Sequence, residues 1–192
     1  IGWLKEKKMR AKEEYAIVLD FLKNGYPEDS RPLHQKEPVV QALGRDHFTL
    51  FELVPKPDIA LKAHDEVYIG EGERDQIAWI RGILPNEKLT QTAKSELKFI
   101  IESLVDKREE KFVNFFNYSG PISLRAHTLE LLPGIGKRHA KELLEEREVR
   151  PFVSFEDIKT RVSSVSNPKK LVIQRIMDEL EEKDRFKLFV RV

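Results

Sequence analysis

Leu132-Pro133-Gly134-Ile135-Gly136-Lys137 decides how the second half of this chain is read. Pro133 opposes helical geometry in the residue before it, so it ends whatever precedes. Gly134 and Gly136 permit positive φ and place no Cβ between backbone and a ligand. Downstream, Arg138-His139-Ala140-Lys141-Glu142-Leu143-Leu144 reads as a helix whose first amides and dipole face outward, a suitable seat for an anion. Lys137, Arg138 and Lys141 add positive charge, and no acid occurs between Pro133 and Lys141. Upstream, residues 124–131 (Leu-Arg-Ala-His-Thr-Leu-Glu-Leu) are predicted as the partner helix. Ile135 is the apolar plug of the turn, and Ala140 lets the two helices approach closely. The pattern is that of a helix-hairpin-helix, an element that holds nucleic-acid backbone without reading bases. A plain tight turn explains Pro and Gly but not the acid-free basic rim. A dinucleotide-binding Gly-x-Gly-x-x-Gly fails because His139 stands at the third position and the preceding element does not read as a strand.

A second, degenerate copy follows. Ser154-Phe155-Glu156-Asp157 resembles a capping box, with a helix through Val162. Ser163 to Pro168 forms the turn, Val165 takes the place of Ile135, and an amphipathic helix runs over residues 169–182. Pro168 is tolerated in a first helical turn. The glycines are gone, so Lys169 and Lys170 extend a phosphate contact only through their side chains. Two such units are expected to bury each other's apolar faces in one bundle.

Charge supports this placement by distribution rather than by total. The net charge is +1 over 192 residues. Residues 121–192 carry 15 Lys+Arg against 12 Asp+Glu, while residues 1–120 carry 19 against 21. Residues 158–177 hold Lys159, Arg161, Lys169, Lys170 and Arg175 with no acid among them.

The first half has strand and turn grammar. Apolar runs at 16–22, 47–54, 66–70 and 77–83 are separated by Pro, Gly, Asn and Asp; a helix over 13–22 is the competing reading of the first. Residues 25–38, with Pro27, Pro32 and Pro38, read as a long loop. A small five-stranded barrel of the oligonucleotide/oligosaccharide-binding type is expected. Phe48, Phe51, Tyr68 and Trp79 are its candidates for base stacking, with Lys62, Arg74 and Arg81 beside them. Residues 92–117 repeat apolar positions at three and four, which predicts helix, with a break near Lys107-Arg108-Glu109-Glu110. Residues 184–192 alternate charged and apolar, which predicts a final strand returning to the barrel.

The expected class is therefore α+β. A small barrel covers residues 1–90 and a connecting helical segment 91–120. A tandem helix-hairpin-helix bundle covers 121–184, and a terminal strand 185–192. The start, Ile1-Gly2-Trp3-Leu4, lacks Met and a signal-peptide core; a tag remnant, a truncated start and a native start are all compatible with it, and Met9 is an alternative beginning.

Chemistry is sparse. The absence of Cys removes disulfides, thiolate metal sites and cysteine nucleophiles, and fits a reducing cytoplasm. The five histidines (34, 47, 64, 127 and 139) show no metal-ligand spacing. No Gly-x-Ser-x-Gly elbow is present. Asp157, twenty residues after Lys137, stands where a hairpin glycosylase carries its aspartate, but a capping role suits it better. Glu71-Gly72-Glu73-Arg74-Asp75 reads as a charged hairpin loop ahead of a cation site. No apolar run is long enough to span a membrane. No catalytic residue, metal or cofactor is assigned.

Four stretches carry a family resemblance. They are Phe51-Glu52-Leu53-Val54-Pro55-Lys56-Pro57, residues 67–75 (Val-Tyr-Ile-Gly-Glu-Gly-Glu-Arg-Asp), Thr92-Ala93-Lys94-Ser95-Glu96-Leu97 and residues 129–137 (Leu-Glu-Leu-Leu-Pro-Gly-Ile-Gly-Lys). Together they resemble the mainly archaeal family of unknown function 655. The resemblance implies an N-terminal barrel, a C-terminal helix-hairpin-helix part and association with RNA in translation or transcription. It supplies no reaction. The expected activity is thus non-enzymatic binding of nucleic acid, RNA ahead of DNA, through Gly134, Ile135, Gly136, Lys137, Arg138, Lys141, Lys169 and Lys170. The rival is an adaptor that docks ribosomal or transcription components.

Overall fold

The computed structural model describes residues 12–191, so the expectations about the first eight residues lie outside the described part. The chain divides into two compact units, one running through Glu96 and including residues from Phe189 onward, the other Leu97–Leu188.

The first unit is a curled, five-stranded antiparallel sheet. Its strands are β1 (Tyr15–Leu22), β2 (Val39–Gly44), β3 (Leu50–Pro55), β4 (Glu66–Tyr68) and β5 (Ile77–Ile83), in the order β4-β1-β2-β3-β5. Alternate residues face one apolar core: Ala16 and Val18, Val40 and Ala42, Phe51 and Leu53, Val67 and Ile69. The helical alternative for 13–22 is thereby settled in favour of a strand. Central β2 was absent from the expected strands. Val39-Val40-Gln41-Ala42-Leu43 is buried on both faces, so it shows an unbroken apolar run in place of alternation. Its one polar side chain, Gln41, accepts from Thr90 N (2.9 Å) and donates to Lys88 O (3.0 Å).

The β2–β3 turn is closed from outside. The Glu13 carboxylate accepts from Asp46 N (2.9 Å) and His47 N (2.5 Å) and fills the space where any Cβ on Gly44 would collide. Burial pushes the Glu13 carboxyl above the ordinary value although these amides oppose the shift.

In the second unit the expected helix over 92–117 appears as α1 (Gln91–Lys107) and α2 (Glu109–Tyr118), broken at Arg108; α1 begins in the first unit. Three more helices follow: α3 (Lys137–Val149), α4 (Phe155–Arg161) and α5 (Pro168–Leu180). Ser154 caps α4 through Asp157 N (2.9 Å), and Asn167 caps α5 through Lys170 N (3.0 Å) ahead of Pro168.

Two expectations fail here. Residues 124–131 are not a helix. They form the tip and second strand of a hairpin, β6 (Pro121–Ser123) with β7 (Ala126–His127), then a 3-10 turn over Thr128–Leu131. The local hydrogen bonds explain why. Thr128 N and Oγ1 both donate to Gly120 O, Glu130 accepts from His127 N and His127 Nδ1 from Leu129 N, so hairpin and side-chain bonds take the amides a helix would need.

Residues 185–192 are not a strand in the described part. Side chains of α5 claim that backbone: Arg175 donates to Phe186 O, and Glu179 accepts from Leu188 N. Further on, Arg191 N donates to His47 O (3.0 Å) and Thr49 Oγ1 to Arg191 O (2.6 Å), which places the tail in the first unit without sheet pairing.

Candidate nucleic-acid interface

The turn between the 3-10 segment and α3 is anchored from below and open above. Leu132, Ile135, Ala140 and Leu143 are buried. Ile135 N donates to Leu132 O (3.1 Å), and the second turn repeats this: Val165, also buried, donates to Val162 O (2.9 Å). Ile135 is therefore an anchor whose amide is already engaged. Gly134 has φ +76°, a conformation that side chains strain. Gly136 does not use the positive φ open to it (φ −95°); what the position offers is open space. A Cβ on either glycine would meet nothing within 4 Å.

The first bond of the α3 ladder is Ala140 N to Gly136 O (3.0 Å), so the amides of Lys137, Arg138 and His139 precede it. Gly136 N is turned toward His139 Nδ1 at 3.4 Å. No acid lies in the first turn of α3, and Lys137, Arg138 and Lys141 are exposed. Arg138 leans on Glu142 (3.0 Å) and Lys141 on Glu145 (3.6 Å), both one helical turn on. Such exposed pairs are screened by water and contribute little, so a phosphate can displace them.

The second basic segment has no acid in sequence, yet three of its five cations meet acids in space. Lys169 pairs with Asp106 of α1 (2.6 Å), which also raises its pKa, and sits 3.9 Å from Glu102. Arg161 pairs with Asp157 and Glu146, and Arg175 with Glu179 and Asp184. Lys170 remains exposed. The structure thus groups Lys137, Arg138 and Lys141 on one helical turn and ties Lys169 to α1.

Asp157 accepts from Val153 N (3.1 Å), Arg161 (3.1 Å) and Arg150 (3.4 Å). Burial alone would raise its carboxyl; the amide and the two guanidinia outweigh burial and hold it below the ordinary value. A depressed pKa gives stability that is present above the unfolded value and is lost as pH falls through the folded one. Asp157→Asn should therefore cost about 1.5–3 kcal/mol at pH 7, the range of a charge-assisted hydrogen bond. Urea unfolding of both proteins should show that gap closing below about pH 4, near the ordinary aspartate value. A gap independent of pH would contradict the assignment.

The stacking candidates separate. Phe48 and Phe51 are core, and Tyr68 lies edge-to-face on Tyr15 with its hydroxyl accepting from Gly72 N (3.0 Å). Trp79 is exposed on β5, but its neighbour Arg81 is held by Glu52 (2.8 Å) and Glu37 (2.9 Å), so that face is not basic. Arg74 donates to Gly70 O, while Lys62 is exposed. Among the described residues no group of three His, Asp or Glu side chains converges, and no helix is long and apolar enough to cross a membrane.

The architecture defines a protein with a curled antiparallel sheet and a five-helix part carrying an open, glycine-lined basic turn. The profile of the protein family of unknown function DUF655 matches residues 12–191, and the chain belongs to that family. It is 43% identical over 189 residues to the uncharacterised protein MJ0038 of Methanocaldococcus jannaschii, covering 97% of this chain and 84% of that protein. It is also similar to the crystal structure of Af1531 from Archaeoglobus fulgidus, a DUF655 protein. The TM-score is 0.84 at 45% identity, covering 92% of this chain and 99% of that one.

Proposed function

We propose that the chain is a non-enzymatic nucleic-acid-binding protein, acting on RNA in the cytoplasm, that holds phosphate backbone at the start of α3. The single observation carrying this reading is the open backbone at Gly134 and Gly136, followed at once in the chain by three exposed cations on the start of α3. The amides of residues 137–139 supply fixed donors, and Lys137, Arg138 and Lys141 neutralise neighbouring phosphates. On this reading residues 128–149 are a helix-hairpin-helix whose first helix has shrunk to a 3-10 turn. The 154–180 segment is its partner copy, supported by the matching Ile135 and Val165 bonds. The strand order supports a half-open relative of the oligonucleotide-binding barrel.

Salt titration is the test. With about three or four phosphate contacts to single-stranded RNA, log affinity should fall against log salt with a slope of about −2 to −3, from a dissociation constant of order 10⁻⁴ to 10⁻⁶ M. An adaptor for ribosomal or transcription components is the second reading. It is favoured by exposed Tyr118, Val149 and Val153 in a region where the Asn117 side chain ties the Phe152 backbone. A protein contact on that apolar surface would be nearly independent of salt, and RNA affinity without a salt slope would defeat the phosphate reading.

A further inference from the structure

The β6–β7 hairpin carries the most exposed apolar side chain among the large hydrophobics: Leu124, at its tip, is 107% exposed. Ile122 is also exposed, and residues 121–125 are exposed throughout. Ser123 pairs with Ala126, so Leu124 and Arg125 form a two-residue loop. Turns of this length favour Gly, Asn or Asp, which supply positive φ. Neither Leu124 nor Arg125 adopts positive φ. The backbone of this turn therefore tolerates leucine, but packing gives no reason for one: the side chain rests on no neighbour.

The hairpin is nevertheless firmly mounted. Thr128 N (3.1 Å) and Thr128 Oγ1 (2.6 Å) both donate to Gly120 O at its base. From α3 itself, Arg147 donates to Ser119 O (2.8 Å) and Phe116 O (3.1 Å). The tip is thus fixed on the frame that bears the basic turn, and the nine steps along the chain from Arg125 to Gly134 span at most about 30 Å. Its charge matches as well. Between Tyr118 and Lys141 the only acid is Glu130, whose carboxylate accepts from His127 N (2.7 Å).

We propose that Leu124 is a wedge that inserts beside a base of the RNA held at α3, with Arg125 on the flanking phosphate. The proposal rests on the phosphate reading above and gives that site a second contact, to a base. Apolar side chains inserted at a base step gain by opening the stack locally, and a cation beside them offsets the phosphate charge brought close.

The test uses the full chain and an RNA stem-loop carrying 2-aminopurine at one position at a time, with a separate anisotropy measurement of binding. Wild type should raise the emission about twofold or more at one step as that base loses its stacking neighbour. Leu124→Ser should leave emission at the free-RNA level, weaken binding by less than about tenfold and keep the salt slope, which reports phosphate contacts only. Leu124→Phe should restore the signal. An equal emission rise with Leu124→Ser, or wild-type binding with no rise at any position, would overturn the wedge and leave the phosphate site standing. A flat anisotropy titration with wild type would remove both.

Discussion

Arg175→Leu should be the most destabilising single change in the second unit, costing about 3–5 kcal/mol. The residue is 5% exposed, and its guanidinium makes four contacts: Glu179 (2.9 Å), Leu131 O (3.0 Å), Asp184 (3.1 Å) and Phe186 O. Glu179 is wholly buried, so removing the arginine takes the guanidinium away from a carboxylate in the core. Two carbonyls lose their donor at the same time. In a chain of this length each kcal/mol lowers Tm by about 2–4 °C, so a fall of about 6–20 °C is expected by calorimetry. Arg175→Leu combined with Glu179→Leu should recover part of the loss, since an apolar pair of similar volume removes the buried charge. The same arginine fixes Leu131, the residue before the Leu132-Pro133-Gly134 turn. RNA affinity should therefore fall with stability in the single variant. A Tm within a degree or two of wild type would show that the network contributes no net stability.

Gly136→Val should have the largest effect on binding with the least effect on folding. Its φ of −95° suits any residue, and a Cβ there meets nothing within 4 Å, so the chain accommodates valine. The added methyls instead stand where a phosphate must approach the amides of residues 137–139. Losing one charge-assisted hydrogen bond costs about 1.5–3 kcal/mol. At about 1.4 kcal/mol per decade, that is a 10- to 100-fold weaker complex with RNA. Gly134→Val behaves differently: its φ of +76° adds backbone strain of order 1–3 kcal/mol, so stability falls together with binding. Comparing the two variants by thermal unfolding and fluorescence anisotropy separates blocked access from a distorted turn. Unchanged RNA affinity in folded Gly136→Val would contradict the site.

Elements with strong local signals are legible in the sequence. The three-and-four spacing of Leu97, Ile100, Ile101 and Leu104 marked α1, and Ser154 and Pro168 marked the starts of α4 and α5. β2 escaped because a strand buried on both faces loses the alternation that identifies strands. Its signal was available all the same, as five residues with only Gln41 polar between Pro38 and Gly44. Residues 124–131 misled because Leu124, Leu129 and Leu131 mimic a helical stripe over barely two turns, too short to outweigh Thr128 and Glu130 bonding locally.

The candidate site was legible in its glycines and in Lys137, Arg138 and Lys141, since local sequence alone builds that turn. It was not legible in Lys169, Arg161 and Arg175. Their acids, Asp106, Glu146 and Glu179 with Asp184, come partly from other helices, and charge pairing between helices is a property of packing. Leu124 reads in the sequence as a core leucine of a helix, and only its exposure in the structure sets it apart.

Backbone amide shifts in a uniformly ¹⁵N-labelled chain, followed while a short single-stranded RNA is added, test the central claim most directly. The amides of Gly134, Lys137, Arg138 and His139 should move together and saturate at one ligand concentration, and higher salt should reverse the change. Shifts confined to β5 around Trp79 and Arg81, with the start of α3 unmoved at saturation, would contradict it.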